Sequence, residues 1–310
     1  MVLTQEQIKQ FQTSGVLIAK NVLKDSDLQP VIDEINGFVD GRARELFNAK
    51  KITSIYSHLP FEYRIAKIYS ECREVVRDMD IMNFRGKAMH KFLSNANLLD
   101  ALECLIGPEI TCSPIQHLRA KMPNNAAKDI KGMEGVVPWH QDAGVTLEEA
   151  EASEIVTCWI PLLDATKEMG CMEIIPNSWQ KGYLEHVAHP EYGTTIRPDL
   201  LPLEDKICAE CPKGGVVFMN KMTPHRGLVN ESDKVRWNID LRYQKTGTPT
   251  GRSFYPDFAV RSKKELLQMA KSHELWASRW VECLETSKGK AFHPRAKPNI
   301  AAEELVTVKS

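Results

Sequence analysis

The spacing of the hydrophobic residues changes once, near Pro108, and this change constrains the fold more than any other feature of the chain. Before Pro108 the apolar residues recur at helical spacing, as in Leu28, Val31, Ile32 and Ile35. After it, short β-branched runs separated by Gly, Pro, Asn and Asp occupy residues 110–122, 155–163, 171–176, 214–219 and 234–243. Several short strands at such spacing are typical of a sandwich or a barrel, and not of a parallel sheet with crossover helices.

Helical spacing returns after about residue 263, and no Gly/Ser linker, internal repeat or low-complexity segment divides the chain. We therefore predict a single domain over residues 1–310, mainly β with flanking helices. Its parts are a mostly helical segment at 1–108, a β core at 109–245, and a loop with C-terminal helices at 246–310. Two capping-box patterns, Thr4-x-x-Gln7 and Ser26-x-x-Gln29, predict where the first two helices begin.

Charge and terminal sequences limit the partners and the compartment. Forty basic and 41 acidic residues give a net charge of −1, so the chain has no overall attraction to a phosphate backbone, and we expect no nucleic-acid partner. No run approaches the ~20 apolar residues of a membrane helix, and the first residues lack the basic and apolar regions of a secretory signal. The final Val308-Lys309-Ser310 differs from the peroxisomal Ser-Lys-Leu signal, and the eight cysteines are scattered. We therefore expect a cytoplasmic protein without a membrane partner.

The segment Pro138-Trp139-His140-Gln141-Asp142 carries the most distinctive chemistry. In an extended chain, residues i and i+2 face the same side, so His140 and Asp142 direct an imidazole and a carboxylate to one place. These are two members of the two-histidine, one-carboxylate set that binds Fe(II) on one face and leaves the opposite positions open. Since a His-x-Asp pair alone is common in surface loops, the prediction needs a third ligand.

His225 is the predicted third ligand. It lies in Thr223-Pro224-His225-Arg226-Gly227, after the strand-like run 214–219 and 83 residues beyond Asp142. That length is enough for several strands, so a later strand can return beside the first two ligands. We predict that His140, Asp142 and His225 bind one metal ion.

Arg236 lies eleven residues after His225, at the beginning of a strand-like run that alternates in polarity. One face carries Arg236, Asn238, Asp240 and Arg242, and the other carries Trp237, Ile239, Leu241 and Tyr243. If the polar face lines the interior of a barrel, a guanidinium there can bind a carboxylate through two parallel hydrogen bonds. The alternative is that this face lies in solvent.

A second alternating run places His117, Arg119 and Lys121 on one strand face. Three cationic or near-cationic groups on one face suit an anionic ligand. They are equally typical of a face exposed to solvent, so the alternation alone leaves both interpretations open.

These residues together resemble the phytanoyl-CoA dioxygenase family of iron(II)- and 2-oxoglutarate-dependent oxygenases. The resemblance extends roughly over residues 3–243, and it includes Thr157-Cys-Trp159-Ile-Pro-Leu-Leu-Asp164 and Gly170-Cys-Met-Glu-Ile-Ile-Pro176-Asn-Ser178. Three positions depart from the family pattern. Gly227 stands where a serine that helps to bind the cosubstrate carboxylate is often found, Asn177 and Trp179 replace the Gly and His of a Pro-Gly-Ser-His turn, and Gly215 replaces a common Asp.

The resemblance implies a double-stranded β-helix core, of the jelly-roll or cupin-like type. It implies Fe(II) bound by the three predicted ligands, 2-oxoglutarate bound by Arg236 beside Trp159 and Thr157, and O2 as the second cosubstrate. The implied reaction releases succinate and CO2 and oxidises a substrate C–H bond, most often by hydroxylation. Asp142 favours hydroxylation over halogenation, because halogenases of this chemistry have a small residue in place of that carboxylate.

The predicted substrate is a polar or anionic small molecule, because polar side chains cluster near the predicted ligands. The residues that we expect to contact it are His117, Arg119, Lys121, Gln141, Asn238 and Arg242. Two other functions use the same ligands: a metal-dependent hydrolase or isomerase on a cupin-like barrel with a metal-bound water, and a non-catalytic binding protein. Arg236 counts against the hydrolase, which needs no buried carboxylate clamp, and the intact ligand set counts against the binding protein.

Overall fold

The computed structural model describes residues 2–124, 137–189, 193–264, 267–288 and 295–297. Within these ranges the chain forms thirteen strands and eight α-helices, with six short 3-10 turns between them. The helices are α1 (Gln5–Ser14), α2 (Asp25–Asn48), α3 (Phe61–Glu71), α4 (Ile81–Phe84), α5 (Lys87–Phe92), α6 (Ala96–Ile106), α7 (Gln268–Lys271) and α8 (His273–Thr286). None of these described helices is both long enough and apolar enough to cross a bilayer.

The strands fall into three antiparallel sheets. Their bounds are β1 (Val16–Ala19), β2 (Ile110–Cys112), β3 (His117–Lys121), β4 (Val137–His140), β5 (Ile155–Pro161), β6 (Met172–Ile174), β7 (His186–His189), β8 (Gly193–Ile196), β9 (Ile207–Ala209), β10 (Val216–Asn220), β11 (His225–Gly227), β12 (Arg236–Lys245) and β13 (Phe258–Arg261). The large sheet has the order β1-β10-β5-β12-β2-β13, with β3 also paired to β12. The small sheet has the order β4-β11-β6-β9, and β7 pairs with β8.

The large sheet extends beyond the segment 109–245 in which we predicted the β core. Its two edge strands are β1, from the helical N-terminal part, and β13, from the segment predicted as a loop. The predicted strand run 110–122 is divided into β2 and β3, and both pair with the long strand β12. The prediction of a mainly β fold with flanking helices is confirmed.

Local signals fix one of the two predicted helix starts. Thr4 Oγ1 accepts from the Gln7 amide at 3.2 Å, and Gln7 Oε1 accepts from the Thr4 amide at 2.9 Å, so the first capping box is confirmed. The second is wrong, because α2 already begins at Asp25. Asp27 Oδ2 accepts from the Lys24 amide at 2.8 Å, and a carboxylate at that position also suits the positive end of the helix dipole.

Helices cover the outer face of the large sheet. The apolar side of β12 packs there, as its alternation predicts: Trp237, Ile239, Leu241 and Tyr243 are fully buried in the main hydrophobic cluster. The Trp237 ring stacks on Phe61 of α3, with ring centroids 4.9 Å apart and an interplanar angle of 13°. Since side chains alternate along a strand, the charged side of β12 must face the opposite direction, between the two sheets.

A smaller apolar cluster joins the two sheets. Val16, Trp159, Val217 and Met219 from the large sheet pack with Met172, Ile174 and Ala209 from the small sheet. The sheets therefore face each other, and the space beside this cluster receives the polar side chains of β3 and β12.

We expect the Trp237→Ala variant to lose about 3–5 kcal/mol of unfolding free energy, because it removes a fully buried ring and its stacking partner cannot fill the space. Urea denaturation monitored by far-UV circular dichroism measures this loss, because that signal reports secondary structure and not tryptophan fluorescence. Phe47→Ala is the control, since Phe47 is 46% exposed and its truncation should change stability by no more than about 0.5 kcal/mol. Equal stability of the two variants would contradict the assigned packing.

Candidate metal centre

The structure brings the three predicted metal ligands together between the sheets. His140 ends β4 and lies directly opposite His225 on β11, with ring centroids 4.2 Å apart. Asp142 follows two residues after His140, at the beginning of the 3-10 turn Asp142–Val145. One ligand atom from each side chain lies within 4.8 Å of the other two. No other group of three His, Cys, Asp or Glu side chains in the described part of the chain meets this condition.

Each of the two ligand histidines uses one ring nitrogen for a hydrogen bond to a backbone carbonyl. His140 Nδ1 donates to the Pro138 carbonyl at 2.9 Å, and His225 Nδ1 donates to the Thr223 carbonyl at 3.0 Å. This fixes the tautomer and leaves Nε2 of each ring as the free electron-pair donor. Burial lowers the pKa of His140 to about 4 and also lowers that of His225, so both rings are neutral near pH 7, the form that binds a metal.

Asp142 is held by two residues of the large sheet. Arg242 binds it with both arms of the guanidinium, Nη2 to Oδ1 at 2.6 Å and Nε to Oδ2 at 3.3 Å. Thr157, which lies opposite Arg242 on the neighbouring strand, donates its hydroxyl to Oδ2. Burial alone raises the pKa of Asp142, but Arg242 and the two imidazoles outweigh it and hold that pKa well below its usual range.

Arg242 and Thr157 therefore orient a predicted ligand in this structure. The sequence prediction gave Arg242 to the substrate and Thr157 to the cosubstrate. Because directly opposed residues of antiparallel strands share a face, the register of β5 and β12 brings both side chains to Asp142. That register cannot be read from either strand alone.

A third histidine, which is not among the predicted site residues, supports the loop between the ligands. The Gln141 amide donates to His186 Nε2 at 3.0 Å, and His186 Nδ1 donates to the Leu184 carbonyl at 2.7 Å. The Gln141 side chain is engaged as well: its Nε2 donates to the carbonyls of Gly182 at 2.9 Å and Met222 at 2.6 Å, and its Oε1 accepts from the Leu184 amide at 2.7 Å. Gln141 thus anchors the ligand loop, and the predicted contact of its side chain with substrate stays a prediction.

Arg236 lies on the same inner face and is only 4% exposed. Its guanidinium lies 5.1 Å from the centre of the Trp159 ring, and Nη1 donates to Asn238 Oδ1. Nε is buried without a hydrogen-bond partner, and no carboxylate of the described residues forms a salt bridge with this guanidinium. Burial lowers the pKa of Arg236 to about 10. A buried cation without an acid is costly, so this site fits an incoming carboxylate.

His117 and Arg119 also face the space between the sheets, opposite Asp240 and Asn238 of β12. Both are bound by Asp80, which the sequence prediction did not single out. Asp80 Oδ2 accepts from His117 Nδ1 at 2.9 Å and from Arg119 Nη1 at 3.0 Å, and Oδ1 accepts from the Leu118 amide at 2.9 Å. Their predicted contact with substrate stays a prediction. The only local signal for Asp80 is its position as the cap of α4.

A jelly-roll core with a buried two-histidine, one-carboxylate set defines a class of non-haem iron enzymes. The chain matches the family model of phytanoyl-CoA dioxygenase (PhyH) over residues 11–237, and it belongs to this family. It is therefore a member of a family of 2-oxoglutarate-dependent non-haem iron dioxygenases, and the cofactors predicted from the resemblance are those of its family.

Two relatives with phytanoyl-CoA dioxygenase names are also similar to this chain in sequence. The chain is 32% identical over 111 residues to zebrafish (Danio rerio) phytanoyl-CoA dioxygenase domain-containing protein 1, a match that spans 34% of this chain and 38% of the relative. It is 22% identical over 252 residues to human (Homo sapiens) peroxisomal phytanoyl-CoA dioxygenase, which spans 78% of this chain and 68% of the relative.

Solved structures with the same fold include the apo form of the non-haem monooxygenase ThoJ. Its TM-score is 0.60 at 17% identity, over 91% of this chain and 98% of that one. The epimerase SnoN, solved with Fe3+, alpha ketoglutarate and nogalamycin RO, has a TM-score of 0.52 at 17% identity, over 81% and 88% of the two chains. These similarities confirm the predicted jelly-roll, cupin-like core.

We expect Arg242→Met to weaken metal binding roughly 10- to 100-fold, because Asp142 loses the two hydrogen bonds that orient it. Anaerobic calorimetric titration with Fe(II), repeated with Co(II), measures the affinity. Arg119→Met is the matched control, since it removes a cation of the same inner face that binds Asp80 and not Asp142. Equal metal affinities for the two variants would argue against an orienting role for Arg242.

We expect Asp80→Asn to lower the unfolding free energy by about 2 kcal/mol at pH 7, because His117 and Arg119 lose their shared acid. His117 and Arg119 outweigh the effect of burial and hold the pKa of Asp80 below its unfolded value, so its contribution is present above about pH 4 and is lost as the pH falls. The stability difference between the wild type and Asp80→Asn should therefore shrink from pH 5 toward pH 3 in urea denaturation. A difference that stays constant over this range would refute the ion-pair account.

Proposed function

We propose that this chain is a cytoplasmic 2-oxoglutarate-dependent oxygenase. Its substrate is a polar or anionic small molecule, and the reaction is hydroxylation of a C–H bond. One observation carries the proposal: two neutral histidines and one carboxylate cluster on the inner face that also holds the buried Arg236 guanidinium, which forms no salt bridge with a carboxylate of the described residues. This combination is what a metal that binds a carboxylate-bearing cosubstrate requires.

His140, Asp142 and His225 would hold the ferrous ion. When bound, iron supplies the activation of O2 that couples the conversion of 2-oxoglutarate into succinate and CO2 to oxidation of the substrate. The protein's task is to hold the ligands before the metal arrives. The two backbone hydrogen bonds to Nδ1 do this for the imidazoles, and Arg242 with Thr157 does it for the carboxylate.

Arg236 would bind the distal carboxylate of 2-oxoglutarate. Its guanidinium lies against the Trp159 ring, which excludes water from one side and strengthens a charge-assisted hydrogen bond. The cost of burying this cation is met only when a carboxylate arrives. A hydrolase that used the same metal ligands would gain nothing from it, and this disfavours the hydrolase alternative.

The substrate is proposed to be polar because two buried polar atoms near the ligands have no hydrogen-bond partner among the described residues. Asp240 Oδ1 and Arg242 Nη1 are buried without a hydrogen bond. One is an acceptor and the other a donor, and both belong to the inner face of β12. A substrate that carries a hydroxyl or a carboxylate can satisfy them. Asn238, His117 and Arg119 of the same face are proposed to complete this contact.

Anaerobic titration of the Fe(II)-loaded protein with 2-oxoglutarate tests the proposal. We expect a visible metal-to-ligand charge-transfer band, and roughly 10- to 100-fold weaker binding in Arg236→Gln, because a buried charge-assisted pair is lost. Arg261→Gln is the control, since that arginine pairs with Asp100 and Glu103 at the surface. If no band forms and no succinate is released in air with a panel of polar metabolites, the oxygenase proposal fails and the hydrolase or the binding protein replaces it.

A further inference from the structure

A second buried cation lies beside Arg236. Lys121 on β3 is directly opposite Arg236 on β12, so the two side chains share the inner face. Lys121 is only 1% exposed, and its Nζ donates to the Leu228 carbonyl. Like Arg236, it forms no salt bridge with any carboxylate that the structure describes.

Two cations side by side in a buried space repel each other. Burial, and then the Arg236 charge, lower the pKa of Lys121 to about 6. In the free protein Lys121 is therefore mostly a neutral amine near pH 7, because charging it beside Arg236 without an acid is unfavourable. An anion placed between them would remove this penalty, and a carboxylate has two oxygens, enough to accept from an ammonium and a guanidinium together.

Gly227 provides the room for the ammonium. A Cβ at position 227 would lie 3.1 Å from Lys121 Nζ and 3.3 Å from Val137 Cβ, which is tighter than ordinary van der Waals contact. The backbone at Gly227 does not have a positive φ, so its conformation does not require glycine. The absence of a side chain at this position is therefore explained by the space that Lys121 occupies.

We propose that Lys121 and Arg236 together bind the distal carboxylate of 2-oxoglutarate, and that Gly227 lacks a side chain to admit the Lys121 ammonium. The inference rests on the proposed use of 2-oxoglutarate and makes Lys121 a cosubstrate residue, whereas the sequence prediction gave it to the substrate. It accounts for the departure at position 227: the ammonium takes the place of the serine hydroxyl. A site with two cations selects a 2-oxo acid that carries a second carboxylate.

The Lys121→Met variant tests the inference, because it keeps an unbranched side chain one atom shorter than lysine and removes the ammonium. We expect at least roughly tenfold weaker binding of 2-oxoglutarate in the anaerobic charge-transfer titration. Binding of 2-oxopentanoate, which has a methyl group in place of the distal carboxylate, should not change.

Unchanged 2-oxoglutarate affinity in Lys121→Met would overturn the inference. Equal losses for 2-oxoglutarate and 2-oxopentanoate would also overturn it, since Lys121 would then act only through the structure of the site. These outcomes differ from failure of the proposed function, in which the wild type itself forms no band with 2-oxoglutarate.

A double-mutant cycle that combines Gly227→Ser with Lys121→Met gives a second, independent test. Its Gly227→Ser single variant keeps Lys121 in place. In the wild-type background, Gly227→Ser should weaken 2-oxoglutarate binding, because its Cβ crowds the ammonium. In the Lys121→Met background, the serine hydroxyl has space and should restore part of the lost affinity. Additive losses in the double variant would overturn the pairing of positions 121 and 227.

Discussion

The arrangement of the site depends on the burial of one face of β12. Its four apolar side chains are inserted beneath the helices, and strand geometry then forces Arg236, Asn238 and Arg242 into the space between the sheets. Burying several charges is expensive, and the apolar face contributes the hydrophobic free energy that offsets this cost. A one-residue slip of β12 would place the charges against the helices and the aromatic rings between the sheets, so the same burial also fixes the register that joins Arg242 to Asp142.

The buried charges between the sheets are balanced unevenly. Arg242 is matched by Asp142, and Arg119 by Asp80. Arg236 and Lys121 have no acid within the described residues, and they are opposed across β12 and β3. A folded protein tolerates such an imbalance when a ligand restores neutrality, because only the liganded state then removes the full cost. The location of the imbalance is thus informative about the ligand, even though many buried ion pairs elsewhere are structural.

The sequence predicts those parts of the site that depend on local geometry. His140 and Asp142 follow from the i, i+2 rule, and the apolar and charged faces of β12 follow from its alternation. The sequence does not show which face of a strand lies in solvent. The environment of His117 and Arg119 is therefore known only from the pairing of β3 with β12. The roles of Asp80 and His186 were not predicted because their partners lie 37–39 and 45 residues away in sequence. Helix α2 shows the limit of local rules too, since two overlapping capping signals competed and the acidic one at Asp27 determined the start.

The two ends of the site differ in how their charge is compensated, and on the proposed function this difference determines the orientation of a bound 2-oxo acid. At the metal end the imidazoles are neutral and the one carboxylate is already neutralised by Arg242, so a metal ion brings net positive charge that a 2-oxo acid can meet. At the other end Arg236 and Lys121 form no salt bridge with a carboxylate of the described residues, and an incoming carboxylate would favour the charged form of Lys121. On the proposed function, a 2-oxo dicarboxylate reversed in this space would lose chelation at the metal and gain nothing at the cations, because both of its ends carry a carboxylate but only one carries the oxo group. Orientation would therefore be set by the metal and affinity by Arg236 and Lys121. On this proposal a change at position 227, although two residues from a metal ligand, would alter the carboxylate end and leave the ligand set in place.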